Sequence, residues 1–165
     1  MAAEETDIVV FRTRLRPTKA QEALLYRNCA GCRFVYNHML QIQKERHEVF
    51  SAAREKFLAD NPTKTKKEFK PSDSEKLFDP KHDLKKLLPI LKKEDDTSWL
   101  AELDSQILQE AVLVFNKSWK MFTKRKGGYP RFRNRDMHNG FGRANGHKAK
   151  LIREKRFTLS NNWFH

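Results

Sequence analysis

The residues best suited to chemistry in this sequence are cations spaced among aromatic rings. Between Lys117 and Arg156 the chain has fourteen Lys or Arg residues against two acids, Asp136 and Glu154, so this block carries nearly all of the net charge of +13. Positive charge concentrated in this way indicates a polyanionic partner, and for a chain of this composition it favours nucleic acid.

Within this block, residues 127–135 read Gly-Gly-Tyr-Pro-Arg-Phe-Arg-Asn-Arg. In an extended backbone the three arginines can share one face while Tyr129 and Phe132 point elsewhere. Such a segment places phosphate contacts beside planar rings on which bases can stack. The alternative is a solvated loop whose aromatic rings anchor it to the core, because charged runs often serve solubility alone.

The sequence shows no residue pattern for catalysis or metal binding. Cys29 and Cys32 have the two-residue gap of a zinc half-site, but no second pair follows, and His38 and His47 do not have finger spacing. We expect two reduced thiols, no metal and no cofactor. No set of carboxylates and no Ser/His/Asp arrangement is visible, so we expect no enzymatic activity from this chain alone.

Length and hydropathy indicate one core, or one compact domain with an inserted element. No apolar stretch is long enough to span a bilayer, and the acidic first residues are unlike a signal peptide. We therefore expect no membrane partner and a location in the cytoplasm or at the nucleoid.

The secondary structure predicted for residues 8–58 is a strand followed by two helices. Residues 8–16 alternate in polarity and predict a strand with Arg12 and Arg14 on its open face. A capping box at 18–21 predicts a helix over 19–30, which Gly31 would end in a left-handed cap, and a second helix follows over 32–58. This pair resembles a helix-turn-helix, but a generic helical hairpin has the same pattern.

The middle of the chain reads as a linker followed by helices. Residues 61–81 are polar and predict a flexible linker, and 83–93 predict a short helix interrupted at Pro89. The clearest helix begins near Asp104, buries an aromatic stripe and is closed by Gly127-Gly128. Its polar face carries Gln106, Gln109, Lys117, Lys120 and Lys124.

Two short strands are predicted at the end of the chain, at 150–153 and 156–159. Their natural partner is the first strand, so the sequence predicts an α+β fold in which a small sheet or open barrel is built from both ends of the chain and the helices are inserted between them.

Four segments in this order resemble the N-terminal half of the TnpB or OrfB proteins, RNA-guided nucleases encoded by insertion sequences. They are Phe11-Arg-Thr-Arg-Leu-Arg-Pro-Thr-Lys-Ala-Gln21, Cys32-Arg-Phe-Val-Tyr-Asn-His-Met-Leu40, Thr97-Ser-Trp-Leu-Ala-Glu-Leu-Asp-Ser-Gln-Ile-Leu-Gln109 and Gly128-Tyr-Pro-Arg-Phe-Arg133. The resemblance implies a split oligonucleotide-binding β-barrel, called the wedge, formed by residues 1–17 and 127–165. A helical recognition lobe would occupy 18–126.

The same resemblance implies two nucleic-acid partners, a structured guide RNA and a short DNA motif beside the target. By position, Ser105, Gln106, Gln109, Gly142 and Arg143 would face the DNA motif, and glutamine can pair bidentately with adenine. Lys148 and Lys150 would join the arginines of 131–135 in neutralising phosphate. Together with the other cations and rings, the predicted nucleic-acid-binding residues are Arg12, Arg14, Ser105, Gln106, Gln109, Lys117, Lys120, Lys124, Tyr129, Arg131, Phe132, Arg133, Arg135, Arg143, Lys148 and Lys150.

The family's RuvC-like nuclease domain would begin where this sequence stops, which again implies a noncatalytic module. Three other functions stay open. The chain could form an active nuclease with a RuvC-containing chain, act as a derived regulator that inhibits or complements a full-length relative, or bind duplex DNA as a dimeric transcription factor.

Overall fold

A 42-residue helix, α1 (Lys19–Asp60), is the longest element of the computed structural model. The structure describes residues 16–136, 140–142, 150–152 and 156–158. A helix of this length extends for about 60 Å, so α1 runs past the core that covers its first half.

The predicted capping box forms at the start of α1. The Gln21 N–H donates to Thr18 Oγ1 at 3.3 Å, and the Thr18 N–H donates to Gln21 Oε1 at 2.9 Å. Each residue thus satisfies a backbone donor of the other, which confirms the predicted beginning of the helix.

Gly31 does not end a helix. It is buried within the continuous α1, and a Cβ atom there would lie 2.3 Å from Leu103 Cδ1 and 3.3 Å from Leu108 Cδ2. The missing side chain therefore lets α1 approach its neighbours closely. The predicted left-handed cap and the resulting helix pair are wrong, because Gly31 serves tertiary packing and the sequence alone does not show that contact.

In the part of the chain that the structure describes, four further helical segments follow α1. A 3₁₀-helix (Leu84–Leu87) continues into α2 (Leu88–Leu91), with Pro89 in the first turn of α2, where its missing N–H costs nothing. A second 3₁₀-helix (Asp95–Glu102) leads into α3 (Ser105–Thr123). Asp104 caps α3 as predicted, since its Oδ1 atom accepts the Gln106 N–H at 2.8 Å.

The core lies mainly between α1 and α3. From α3 the buried side chains are Ile107, Leu108, Ala111, Val112, Phe115 and Trp119, and from α1 they include Val35, Tyr36, Met39 and Leu40. Tyr36 and Phe115 meet edge to face with ring centroids 5.5 Å apart. The short helices add Leu84, Leu88, Leu91 and Leu100 to this cluster. The aromatic stripe of α3 is therefore core, as its helical spacing predicts.

The end of α3 is set by Arg125, not by the glycines. Arg125 has a φ of 55°, the Lys126 N–H donates to Met121 O at 2.8 Å, and the Arg125 N–H donates to Phe122 O at 2.9 Å. These bonds form a Schellman motif with arginine at the left-handed position that glycine usually occupies. The prediction that Gly127-Gly128 closes the helix is therefore wrong by two residues.

Residues 61–83, termed the strap here, pack back along α1. Gln43 Nε2 donates to Phe78 O at 3.0 Å, and the Arg46 guanidinium lies 4.4 Å from the centroid of the Phe78 ring. Farther along α1, the Phe69 ring lies between Phe50 and Phe57, at centroid distances of 5.6 and 5.5 Å. These contacts extend the packed surface along the second half of α1.

The predicted α+β class with a split barrel is wrong. The described residues are mainly helical, and their strands are limited to an antiparallel ribbon of β1 (Lys150–Ile152) and β2 (Arg156–Thr158), in which Leu151 is paired with Phe157. The two strands appear near their predicted positions, but no barrel forms within the part of the chain that the structure describes. Residues 8–15 of the strand predicted over 8–16 lie outside the described residues, and Arg16, which is described, is not in a strand.

Candidate nucleic-acid interface

The basic segment, which we define as residues 127–135, is joined to α1 by the side-chain amide of Asn37. Asn37 Nδ2 donates to Arg133 O at 2.9 Å, and Asn37 Oδ1 accepts the Arg133 N–H at 2.7 Å. An amide side chain thereby pairs with both polar groups of one backbone residue, as a neighbouring strand would. The path of the chain at Arg133 is fixed by this pairing.

The neighbouring residue, Tyr36, holds the side chain of Arg133. The guanidinium carbon lies 3.9 Å from the centroid of the Tyr36 ring, which is itself buried. A cation stacked on a ring uses the guanidinium face, so its in-plane N–H groups keep their direction for hydrogen bonds. Pro130 is buried beside this contact and adds a second anchor.

Between the basic segment and α3 lies a groove of about 460 Å³, which we call the α3 groove. It is lined by Tyr36, Lys117, Ser118, Met121, Gly128, Pro130, Arg131 and Arg133. Among the described residues, the ion pairs join Arg27 to Glu102, Lys76 to Asp73 and Lys86 to Asp83, so none involves a cation of this groove. As far as the described residues go, the lining of the groove thus combines three cations with the exposed Met121 side chain and contains no carboxylate.

Tyr129 belongs to the aromatic cluster at the end of α3. Its ring centroid lies 4.8 Å from Phe122, 5.8 Å from Trp119 and 5.9 Å from His47. Burial, followed by the nearby Glu48, raises the pKa of Tyr129 above its usual value. The Tyr129 ring therefore anchors the basic segment to the helices. This position agrees with the alternative in which the aromatic rings of the segment hold it against the core.

Burial and then the nearby Arg54 lower the pKa of His47, the fourth member of this cluster, while Glu48 acts in the opposite direction. The lowered pKa favours a neutral imidazole among the rings of Trp119, Phe122 and Tyr129.

The remaining predicted residues of this region are accessible. Phe132 is 50% exposed, between two residues that line the α3 groove, and Arg135 is exposed at the following turn. Lys120 and Lys124 are exposed at the end of α3. The structure therefore brings Lys117, Arg131 and Arg133 together and leaves Phe132 open to a stacking partner.

A second groove, of about 290 Å³, lies at the start of α3 and is lined by Lys85, Leu88, Pro89, Lys92, Ser105 and Gln109. Lys92 Nζ donates to Ser105 Oγ at 2.7 Å. Two of the residues predicted to face DNA thus lie beside two lysines. Gln106 is half-buried on the same turn, and its backbone N–H is held by the Asp104 cap.

The segment 140–142 also reaches α3. A Cβ atom at Gly142 would lie 3.0 Å from Glu110 Cγ, and Phe141 packs against the core. Because Glu110 follows Gln106 by one helical turn, Gly142 lies near the same part of α3. Arg12, Arg14, Arg143 and Lys148 lie outside the described residues, and Lys150 is placed in β1 by its backbone.

Sequence reasoning missed several residues that build these grooves. Asn37 and Tyr36 fall within a segment quoted for the family resemblance, yet nothing local distinguishes them from other core-facing residues of a helix. Lys85 and Lys92 are seven residues apart, a spacing that places two helical positions on one face and that could have drawn attention to them.

The two cysteines are buried and reduced. Burial, with a smaller contribution from Cys29, raises the pKa of Cys32 to about 12, and burial also raises the pKa of Cys29 against the opposing effect of Arg33. Both thiols therefore keep their protons at neutral pH and pack as small apolar groups. Within the described residues, no three His, Cys, Asp or Glu side chains are grouped as metal ligands.

None of the helices in the described part of the chain combines the length and the apolar character that crossing a bilayer requires.

Comparisons with known proteins agree with the resemblance seen in the sequence. Residues 9–50 match the model of the OrfB family of IS605-type elements that is described as a helix-turn-helix domain. Over 153 residues the chain is 26% identical to an Escherichia coli K12 protein named "Putative RNA-guided DNA endonuclease InsQ". That alignment covers 93% of this chain and 32% of the relative, so the chain spans about a third of its length.

The predicted resemblance to the TnpB or OrfB family is thus confirmed: an OrfB-type domain lies at 9–50, and the similarity continues over most of the chain. The family match covers a domain of nucleic-acid-binding type and no nuclease domain. In this chain, however, residues 19–50 form one uninterrupted helix, so the described part of the matched stretch contains no turn between two helices.

Proposed function

We propose that this chain is a noncatalytic nucleic-acid-binding module of a TnpB-like RNA-guided DNA endonuclease, which binds a structured guide RNA and a short DNA motif beside the target. The observation that carries the proposal is the α3 groove, where Lys117, Arg131 and Arg133 face one cavity and take part in no ion pair among the described residues. Such a cluster neutralises phosphate without first breaking an internal salt bridge.

The second groove supports contact with DNA bases. Ser105 and Gln109 present a hydroxyl and an amide beside Lys85 and Lys92, so groups that can read base edges lie next to cations that can bind the backbone. The similarity to a relative named as an RNA-guided DNA endonuclease supports the same assignment.

The test is to purify the 165-residue chain at moderate salt and sequence the nucleic acid that accompanies it. The proposal predicts a defined structured RNA, and a complex that leaves labelled DNA uncut in the presence of Mg²⁺. Recovery without RNA, together with preferential binding to duplex DNA, would contradict the guide-RNA assignment. Recovery with a RuvC-containing chain would favour the regulator or subunit alternatives, and cleavage by the purified chain would refute the noncatalytic assignment.

A further inference from the structure

We propose that the α3 groove binds a single-stranded segment of nucleic acid, with a phosphate at Lys117 and Arg131 and an unstacked base against the apolar wall. This inference rests on the proposed nucleic-acid function and adds the form of the ligand that this groove accepts.

The composition of the groove matches a nucleotide with an exposed base. Its cations can meet the phosphate, the exposed side chain of Met121 forms the apolar wall, and Ser118 adds one hydroxyl. Met121 is 40% exposed although it is a large apolar side chain. A surface that bound duplex through phosphates alone would gain nothing from such a wall, because the faces of paired bases are buried in the stack.

The size of the groove points the same way. Its volume of about 460 Å³ leaves room for one nucleotide. Single strands can turn a base out of the chain at little cost, whereas a duplex must first break pairing and stacking.

One buried ring, Tyr36, lines this groove, and one exposed ring, Phe132, neighbours two of its lining residues in sequence. Arg133 is held flat on Tyr36 and by Asn37, so the guanidinium is already in place before any ligand arrives. Phe132 directly precedes Arg133 in the sequence, and its half-exposed ring offers a platform for a second base. Alternating cations and rings of this kind are typical of surfaces that bind single strands.

The experiment measures fluorescence anisotropy with the full chain and four probes of about 12 nucleotides, a length in the range of single-strand sites. The probes are uridine RNA, thymidine DNA, a mixed-sequence DNA duplex and an abasic DNA strand with the same phosphates. Phe132→Ala and Met121→Ser remove the ring and the apolar wall. Tyr26→Ala is the control, since Tyr26 is an aromatic residue of similar exposure, 52%, on the first half of α1.

We expect the single strands to bind about tenfold more tightly than the duplex, and the abasic strand to lose about tenfold relative to thymidine DNA. Phe132→Ala and Met121→Ser should each weaken single-strand binding about fivefold, leave abasic and duplex binding unchanged, and leave the salt dependence as it was. Tyr26→Ala should change none of these.

Equal affinity for duplex and single strand, or full retention of affinity by the abasic strand, would overturn this inference while leaving the proposed function intact. The absence of salt-dependent binding to every probe, with no RNA accompanying the purified chain, would instead overturn the proposed function itself.

Discussion

The side-chain amide of Asn37 and the backbone of Arg133 exchange two hydrogen bonds across 96 residues of sequence. One helix residue therefore fixes the backbone on which the cations of the α3 groove are mounted. Because Tyr36 holds the guanidinium of the same arginine, two consecutive residues of α1 set both the path of the basic segment and the direction of one of its charges.

Asn37→Ala removes both bonds and leaves the partly buried N–H and C=O of Arg133 without this partner. We expect the free energy of unfolding to fall by about 1–3 kcal/mol, and RNA affinity to fall as well because the groove loses its shape. Asn37→Asp keeps the acceptor but loses the donor, so the stability of this variant should lie between that of the unchanged chain and that of Asn37→Ala. Urea denaturation and anisotropy measure these effects, and an Asn37→Ala variant with unchanged stability and affinity would show that the pairing is incidental.

Gly31→Ala tests the close approach of α1 to Leu103. Alanine raises helix propensity by about 1 kcal/mol, but its Cβ atom would lie 2.3 Å from Leu103 Cδ1, so overpacking should make the net effect a loss of about 1–3 kcal/mol. Thermal unfolding measures the change.

The matched control for Gly31→Ala is the double variant with Leu103→Ala, which removes the clashing methyl groups. We expect the two substitutions together to cost less than the sum of their separate costs. Strict additivity, or stabilisation by Gly31→Ala alone, would contradict the packing role of this glycine.

Local signals predicted the parts of this fold that depend on local bonds. The capping box at Thr18, the Asp104 cap and the strands near 150 and 156 each rest on hydrogen bonds or pairing within a few residues, and each appears in the structure. The continuous α1 did not follow from the sequence, because the role of Gly31 is decided by Leu103, which is far away along the chain.

The candidate site was predictable in its charge and not in its construction. A count of cations places Lys117, Arg131 and Arg133 among the fourteen of the basic block, since charge is a property of composition, but it does not single them out. The contact of Asn37 with a backbone 96 residues away, and the wall formed by Met121, depend on how α1, α3 and the basic segment meet. Sequence periodicity shows which face of a helix is apolar, but it does not show which loop crosses that face.

Arg125→Gly tests the left-handed end of α3. A non-glycine residue at a φ of 55° carries a steric cost of about 1 kcal/mol, which glycine avoids. Glycine increases the entropy of the unfolded chain, which offsets part of this gain, so we expect a net stabilisation of about 0.5 kcal/mol for Arg125→Gly and destabilisation for Arg125→Val. A differential scanning measurement that ranks valine above glycine would contradict this assignment.

The His47 cluster makes stability depend on pH. Because the pKa of His47 in the folded protein lies below its ordinary value of 6.5, the unfolded chain binds the proton more readily. The stability that this pKa difference contributes is fully present above pH 6.5 and is lost as the pH falls through the pKa of His47 in the folded state. We expect urea denaturation between about pH 8 and pH 5 to show a loss of stability that is smaller in His47→Gln. Identical pH profiles of stability for the unchanged chain and for His47→Gln would refute this role of His47.

The central claim is that nucleic acid binds through the cations of the α3 groove, and the salt dependence of RNA affinity tests it most directly. The comparison is between the unchanged chain, Lys117→Ala/Arg131→Ala, and a control with Lys56→Ala and Lys66→Ala. Both control residues are exposed. Lys56 lies twenty residues beyond Tyr36 on α1, a distance of about 30 Å.

We predict that the plot of log affinity against log salt becomes shallower by about 1.4 in the groove variant, because two phosphate contacts are lost, and that the control keeps the original slope. A groove variant with the slope of the unchanged chain, or an equal change in the control, would contradict the account.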